Sequence, residues 1–551
     1  MTDYRKLQNG SDIRGTALPG VPGEEVNLTA EAARMLTAGF VKWLQEKTGK
    51  TPAELTLAVG RDPRLSGEAL AAAVTETGRS LGLRVLDCGL ASTPAMFMAT
   101  VFPDFSADGA VMVTASHLPF NKNGLKFFSR AGGLDKSDIQ EIADTASRLD
   151  TPAQILADAA MGACDGSLQA AAAAAGKAGS LTKADLMAAY SAHLRKLITD
   201  ACVKGGLSGD EPLKGLKICV DAGNGSGGFY AGEVLEPLGA DVSSSQFLSP
   251  DGHFPNHAPN PENQEAIESL TCRVKAAGCD LGLIFDTDVD RSSAVDEQGR
   301  EINRNGIVAL AAALIADDHP GTTIVTDSIT SNELTDFLEG KLGLHHLRYM
   351  RGYRNVINKG QALNAAGTDC QLAIETSGHA AYKDNYFLDD GAFLAARIVV
   401  KSALLHREWK GISSVTADLK EPAEAVEIRM PILAADYRAA GDEILDYVNK
   451  WIRESAQSYC NSVCAANSGA PGAKGIQIHL VKPNYEGIRV AFSGCLNGWF
   501  LLRKSLHDPI MPLNIEAEER GGCRMIAGML HECLAIRKDL DTTGLTQLRA
   551  K

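Results

Sequence analysis

The chain has 551 residues, 45% of them hydrophobic and 22% charged, with 54 glycines and 21 prolines. That is apolar material for several cores, at a length that sets an expectation of about three to four domains. A formal net charge of −14 disfavours nucleic acid or an anionic membrane as a general partner, so an anionic small substrate needs a locally cationic site. No run reaches the roughly 18 apolar residues of a membrane span, and the opening MTDYRKLQNGSDIRG has no apolar leader. The 12 cysteines are scattered singly, the pattern of reduced, buried thiols, so a cytoplasmic location is expected. Cys460 and Cys464 have no second pair at ligand spacing, which argues against zinc there.

In chain order, residues 1–150 read as alternating strands and helices. Ser11 to Gly15 is a turn carrying Arg14. Met35, Leu36, Phe40, Val41 and Leu44 make a helical stripe over residues 30–46. Strand Leu55 to Val59 runs into Gly60-Arg61-Asp62-Pro63-Arg64-Leu65-Ser66-Gly67. A second strand, Arg84 to Leu86, follows, and a third, Ala110 to Val113, ends in Thr114-Ala115-Ser116-His117. This last stretch predicts a serine presented at the carboxyl end of a parallel strand, where open α/β sheets place their chemistry. Lys126 follows, just before two phenylalanines. The alternative is an ordinary strand followed by an Asn123-Gly124 turn.

Residues 151–182 are alanine-rich and read as a helical linker or insertion. A block over 183–315 follows, with strand Leu216 to Val220, the loop Asp221-Ala222-Gly223-Asn224-Gly225-Ser226-Gly227-Gly228, and strand Leu281 to Phe285 running into Asp286-Thr287-Asp288-Val289-Asp290-Arg291. The glycine loop lacks both P-loop and G-x-G-x-x-G spacing and reads as a turn that permits close packing. A third block, 316–420, has strand Gln371 to Ile374 before Glu375-Thr376-Ser377-Gly378-His379. Residues 421–551 differ. An amphipathic helix over 437–455 precedes strand-like runs and an Asn497-Gly498 turn, which predicts an antiparallel α+β domain with a final helix near Cys523 to Ile536. The expected fold is therefore α/β: three tandem mixed-sheet domains plus a C-terminal α+β domain around a central cleft.

The strongest physical signal is the trio Asp286, Asp288 and Asp290. Carboxylates at i, i+2 and i+4 of a turn leaving an apolar strand can converge on one hard cation, and Mg²⁺ suits such oxygen ligands. The alternative is a solvated acidic loop. An EF-hand would need glycine where Arg291 stands. A phosphatase with Asp286 as nucleophile fits the mid-chain position and Asp290-Arg291 poorly. Glu375, Ser377 and His379 suit sugar hydroxyls and a phosphate, and are equally at home on an exposed loop. Arg503, Lys504, Ser505 and His507 form a locally cationic turn that can take a phosphate or simply end a hairpin.

Together TASHLPFNKNGLKFF, DTDVDR, ETSGH and RKSLHDP, with SDIRG and GRDPRLSG, resemble the α-D-phosphohexomutases, in that family's order and over most of the chain. The resemblance implies a phosphoryl group on Ser116, held with Mg²⁺ by Asp286, Asp288 and Asp290. Arg14, His117 and Arg291 would line it, and Lys126 would be the general acid/base. Glu375 and Ser377 would contact sugar hydroxyls, and His379 and Arg354 also fall to substrate binding. Arg503, Lys504, Ser505 and His507 would grip the phosphate that is not reacting. The implied activity is interconversion of hexose 1-phosphate and hexose 6-phosphate, with glucose, mannose or glucosamine phosphate left open, in a monomer or homodimer. The sequence departs from the family pattern at Leu118, where asparagine is usual. In the last loop Leu506, His507 and Asp508 replace Gly, Thr and Glu, and a following arginine has no counterpart near Pro512. The alternative this motivates is a non-catalytic sugar-phosphate binder.

Overall fold

The computed structural model of the chain describes residues 3–155, 178–458, 460, 475–505 and 508–550. Most of the alanine-rich segment, together with Leu506 and His507, lies outside the described residues. The chain forms two compact units, Met1–His319 with Asn364–Ala417, and Pro320–Leu363 with Asp418–Lys551.

The first unit opens on an eight-stranded mixed sheet. Thr56–Arg61 pairs in parallel with Gly109–Val113 on one side and Arg84–Leu90 on the other, and Lys122–Ser129 pairs antiparallel with Gly109–Val113. The strand begun at Arg84 thus runs four residues past Leu86. Asn123-Gly124 is part of a strand rather than a turn. Gly124 is needed there for space, because a Cβ would lie 2.3 Å from the Ile13 carbonyl oxygen. Helix Ala30–Thr48 is capped by Thr29, whose side chain accepts from the Ala32 N–H, and closed by Gly49 at φ 69°. Its buried face of Leu36, Phe40, Val41 and Leu44 packs into the core beneath the sheet.

A second sheet in the same unit runs Glu301–Ile302, Ser292–Val295, Leu281–Phe285, Ile218–Asp221, with the last two parallel. Leu281–Phe285 is buried at every position, as expected of an apolar strand covered on both faces. Cys370–Ile374, Ala380–Tyr382 and Leu388–Asp389 follow as antiparallel neighbours.

In the second unit Thr323–Thr326 pairs in parallel with His345–Arg348. The C-terminal domain is an antiparallel sheet ordered Glu424–Pro431, Ile510–Ala517, Gly498–Leu502, Ile488–Ser493, Gln477–Leu480. Helix Tyr437–Glu454 buries Ile444, Val448 and Ile452 in its core. The Asn497-Gly498 hairpin needs one correction. Gly498 is already strand, paired with Phe492, and the reversal occurs earlier, where Gly494 takes φ 106°. A short helix, Thr543–Ala550, continues beyond the expected final helix. All cysteines among the described residues are free thiols, and none of their helices is long and apolar enough to cross a membrane. The fold is thus three α/β blocks and a C-terminal α+β domain.

Candidate active site

Strand Gly109–Val113 delivers Ser116 to a buried position, 3% exposed, in a left-handed conformation at φ 50°. A serine there is strained, and its surroundings hold it. Its N–H donates to Thr114 Oγ1 at 2.9 Å, and Thr114 Oγ1 donates to Asp62 at 2.7 Å. Arg64 is the main clamp. Its guanidinium donates to the carbonyls of Ser116, Leu118 (2.6 Å), Pro119 (2.8 Å) and Lys122 (3.1 Å), and its Nε donates to Asp62 at 3.2 Å. Arg64 and Asp62 are fully buried. This is the role of the GRDPR motif, which sequence reading noted without assigning. Arg14 adds a bond to the Ala115 carbonyl and pairs with Asp12 at 2.8 Å.

Ser116 Oγ donates to Asp286 Oδ2 at 2.8 Å. The structure thus joins two motifs 170 residues apart. Arg291 Nη2 lies 3.4 Å from the same Oγ, and His117 Nδ1 lies 3.3 Å away. Lys126 Nζ donates to Asp288 at 2.9 Å and to Asp290. Thr93, which sequence reading missed, donates its hydroxyl to the Asp288 carboxylate and its N–H to the Asp288 carbonyl at 2.8 Å. The only local signal there is the helix start Ser92-Thr93-Pro94, and many helices begin that way.

The three aspartates are buried, and their ligand atoms lie within 4.8 Å of one another. Asp288 Oδ1 and Asp290 Oδ1 are buried without a hydrogen-bond partner. Hard oxygens left unsatisfied in a close trio are a donor set fit for a divalent cation. Burial, then Asp290 and Asp288, push the Asp286 carboxyl well above its ordinary value. Burial also acts on Asp290, but Lys126, His379 and Arg291 outweigh it and hold that group below its ordinary value. Burial, then Arg291 and Arg14, lower His117 to about 2, so it lines the serine as a neutral ring.

Glu375, Ser377 and His379 follow strand Cys370–Ile374 and are largely buried rather than exposed. His379 bonds Asp389 through Nδ1. Burial alone would lower its pKa, but Asp389 and Asp290 raise it to about 9, so it is cationic at neutral pH. A backbone bridge, Arg291 to His379, ties this loop to the aspartate loop. Gly378, at φ 92°, makes the approach possible, since a Cβ would lie 2.5 Å from the Ser292 carbonyl oxygen.

The remaining predicted groups belong to the second unit. Arg354 sits in helix Tyr353–Ala365. Arg503 is 5% exposed, with Glu486 4.0 Å from Nη1 and its Nε buried without a partner. The Ser505 hydroxyl accepts from the Asp508 N–H at 3.1 Å. Lys504 instead pairs with Asp442 on helix Tyr437–Glu454. His507 is outside the described residues.

A strained serine against a buried triple carboxylate, on strands of α/β sheets, defines a site suited to metal-assisted phosphoryl transfer. Residues 5–153, 189–299 and 303–421 match the phosphoglucomutase/phosphomannomutase alpha/beta/alpha domains I, II and III respectively. The chain belongs to the phosphoglucomutase/phosphomannomutase family. It is 27% identical to a phosphomannomutase/phosphoglucomutase of Pseudomonas syringae pv. tomato, over 89% of each chain. It is 30% identical to a phosphoglucosamine mutase of Kineococcus radiotolerans, over 76% of this chain and 84% of that one. Among solved structures, a phosphoglucomutase/phosphomannomutase family protein from Burkholderia thailandensis shares the fold at TM-score 0.68, with 24% identity, over 95% of this chain and 96% of that one.

Proposed function

We propose that the protein is a phosphohexomutase that interconverts hexose 1-phosphate and hexose 6-phosphate through a phosphoserine and a bisphosphorylated sugar. The observation that carries this reading is the hydrogen bond from Ser116 Oγ to Asp286, 2.8 Å, at the head of a buried three-carboxylate loop. A Mg²⁺ ion held by Asp286, Asp288 and Asp290 would neutralise charge on the transferred group.

The chain's own residues supply the rest. Arg64 and Thr114 fix the serine's backbone, so its oxygen needs little reorganisation. Arg291 and Arg14 offer fixed positive charge beside it. In our reading phospho-Ser116 gives its phosphoryl group to a sugar hydroxyl: the Ser–O–P bond breaks and a sugar–O–P bond forms. Lys126 gives a proton to the departing serine oxygen and recovers one from the attacking hydroxyl. The return half uses the other phosphate. Glu375 and Ser377 are assigned to sugar hydroxyls, His379 and Arg354 to the substrate, and Arg503 and Ser505 to the phosphate at rest. Uncatalysed phosphate-monoester cleavage needs accelerations of up to about 10²¹-fold, so charge placed in advance matters more here than added contacts.

The test is a parallel coupled assay with glucose 1-phosphate and mannose 1-phosphate, with inorganic phosphate followed in the same samples. Isomerisation without phosphate release is expected, lost on chelation and restored by Mg²⁺. Net phosphate release would favour a hydrolase with Asp286 as nucleophile; binding without conversion would favour a sugar-phosphate binder. The Kineococcus likeness motivates a third arm with glucosamine 1-phosphate.

A further inference from the structure

The proposed chemistry makes no use of two motifs, the glycine loop from Asp221 to Gly228 and the segment Asp251 to Glu262, which reads DGHFPNHAPNPE. In the structure they meet. Strand Ile218–Asp221 ends in a fully buried carboxylate, and His257 is nearly as buried. Asp221 accepts from the Gly223 N–H at 2.8 Å, from Gln246 Nε2 at 2.7 Å, and from His257 Nε2 at 3.1 Å to each oxygen. The other ring nitrogen, Nδ1, lies 3.0 Å from the Ala258 carbonyl oxygen. Both partners offer acceptor oxygens, which suits a ring with a proton on each nitrogen, and although burial acts against it the Asp221 hydrogen bond and charge raise the His257 pKa above its ordinary value.

The turn that follows is fixed residue by residue. The Asn260 N–H donates to the Ala258 carbonyl at 2.8 Å, and the Glu262 N–H donates to Asn260 Oδ1 at 3.0 Å. The same Asn260 Oδ1 accepts from Arg291 Nη1 at 3.2 Å, and the Glu262 carboxylate lies 3.7 Å from that nitrogen. Arg291 Nη2, at the other end of the guanidinium, lies 3.4 Å from Ser116 Oγ. The glycine loop is pressed between this turn and the aspartate loop. A Cβ on Gly223 would lie 2.9 Å from Pro259 Cβ and 3.1 Å from His257 Cε1, and one on Gly225 would lie 2.8 Å from the Thr287 carbonyl oxygen. The Ser226 N–H donates to that Thr287 oxygen at 2.8 Å.

We infer that His257 and Asp221 are a buried positioning pair: they hold the Asn260–Glu262 turn, the turn holds Arg291, and Arg291 is thereby aimed at the oxygen that exchanges the phosphoryl group. Neither residue of the pair touches the reacting atoms. The inference rests on the mutase reading, and it adds a requirement that reading does not contain. An arginine misplaced by about 1 Å costs rate in the transfer step, on the order of 10²-fold, without loosening the sugar.

The experiment is a double-mutant cycle on the full chain, with kcat and KM measured for the hexose 1-phosphate that the parent converts. His257→Ala is expected to lower kcat about 10- to 100-fold with KM within about twofold. In an Arg291→Ala background it is expected to cost nothing further. His257→Gln, which keeps one N–H toward Asp221, is expected to recover part of the loss, and it carries the cycle where the alanine variant fails to fold. Equal multiplicative losses in both backgrounds, or a loss confined to KM, would overturn the inference while leaving an active mutase. A parent that converts none of the three sugar phosphates fails the mutase reading itself and takes the inference with it.

Discussion

The serine loop of the first unit and the Arg503 loop of the second both gather charge in a protein of opposite sign, but they are built differently. Around Ser116 the loop carbonyls are clamped by one buried arginine, and Arg64 is itself paired with Asp62. Arg503 is nearly as buried, yet it keeps an unpartnered Nε, a long 3.5 Å bond from Nη1 to the Lys504 carbonyl and a 4.0 Å approach to Glu486. Its neighbour Lys504 is committed to Asp442. The contrast fits the reacting centre and the holding centre proposed above. One must be pre-organised to within fractions of an ångström; the other needs an available charge that the ligand completes.

Four perturbations would break or sharpen this contrast. Ser116→Ala removes the oxygen proposed to exchange the phosphoryl group and is expected to cut turnover by on the order of 10⁴-fold or more with the fold intact, read by the coupled assay and circular dichroism. Arg64→Ala leaves Asp62 and the loop carbonyls buried without their partner. It is expected to destabilise the first unit by about 3–5 kcal/mol, read as a lowered urea midpoint. A fall as large in Arg503→Ala would erase the distinction between the loops. Instead Arg503→Ala is expected to raise KM about 10- to 100-fold, from loss of about 1.5–3 kcal/mol of charged hydrogen bonding. Lys504→Ala is expected to change KM by less than about twofold, since Asp442 already holds that ammonium.

A further effect concerns pH. Burial, then Glu333, push the Glu516 carboxyl from 4.5 up to about 7, against Trp499, Arg489 and Arg348. Between those values the folded state binds the proton more tightly than the unfolded chain, so stability rises as pH falls from about 8 toward 5. Glu516→Gln should therefore be more stable than the parent at pH 8, by about 3 kcal/mol, with most of the gap closed by pH 5. A constant gap across that range would contradict the cause assigned to the shift.

How much of this the sequence disclosed depended on distance along the chain. Strand Leu281–Phe285 and the three aspartates after it were legible because a buried apolar run and a two-residue carboxylate spacing are local patterns. The roles proposed for Ser116 and Lys126 needed the family likeness, since a serine after a strand is commonplace. Thr93 was missed because its bond to Asp288 spans 195 residues and has no local signature. Arg64 was quoted in a motif, but its clamp on four carbonyls exists only once strands Thr56–Arg61 and Gly109–Val113 are side by side. The Asn497-Gly498 pair misled in detail: Gly498 was drawn into the strand by pairing with Phe492, and Asn497 stayed in the connection before it.

The central claim is that Ser116 carries the phosphoryl group. Intact-mass measurement of the purified protein, with peptide mapping, tests it most directly. One added phosphate on Ser116, exchanging with label from hexose phosphate, is the predicted result. A protein that stays unmodified at Ser116 while it interconverts hexose phosphates would contradict the account.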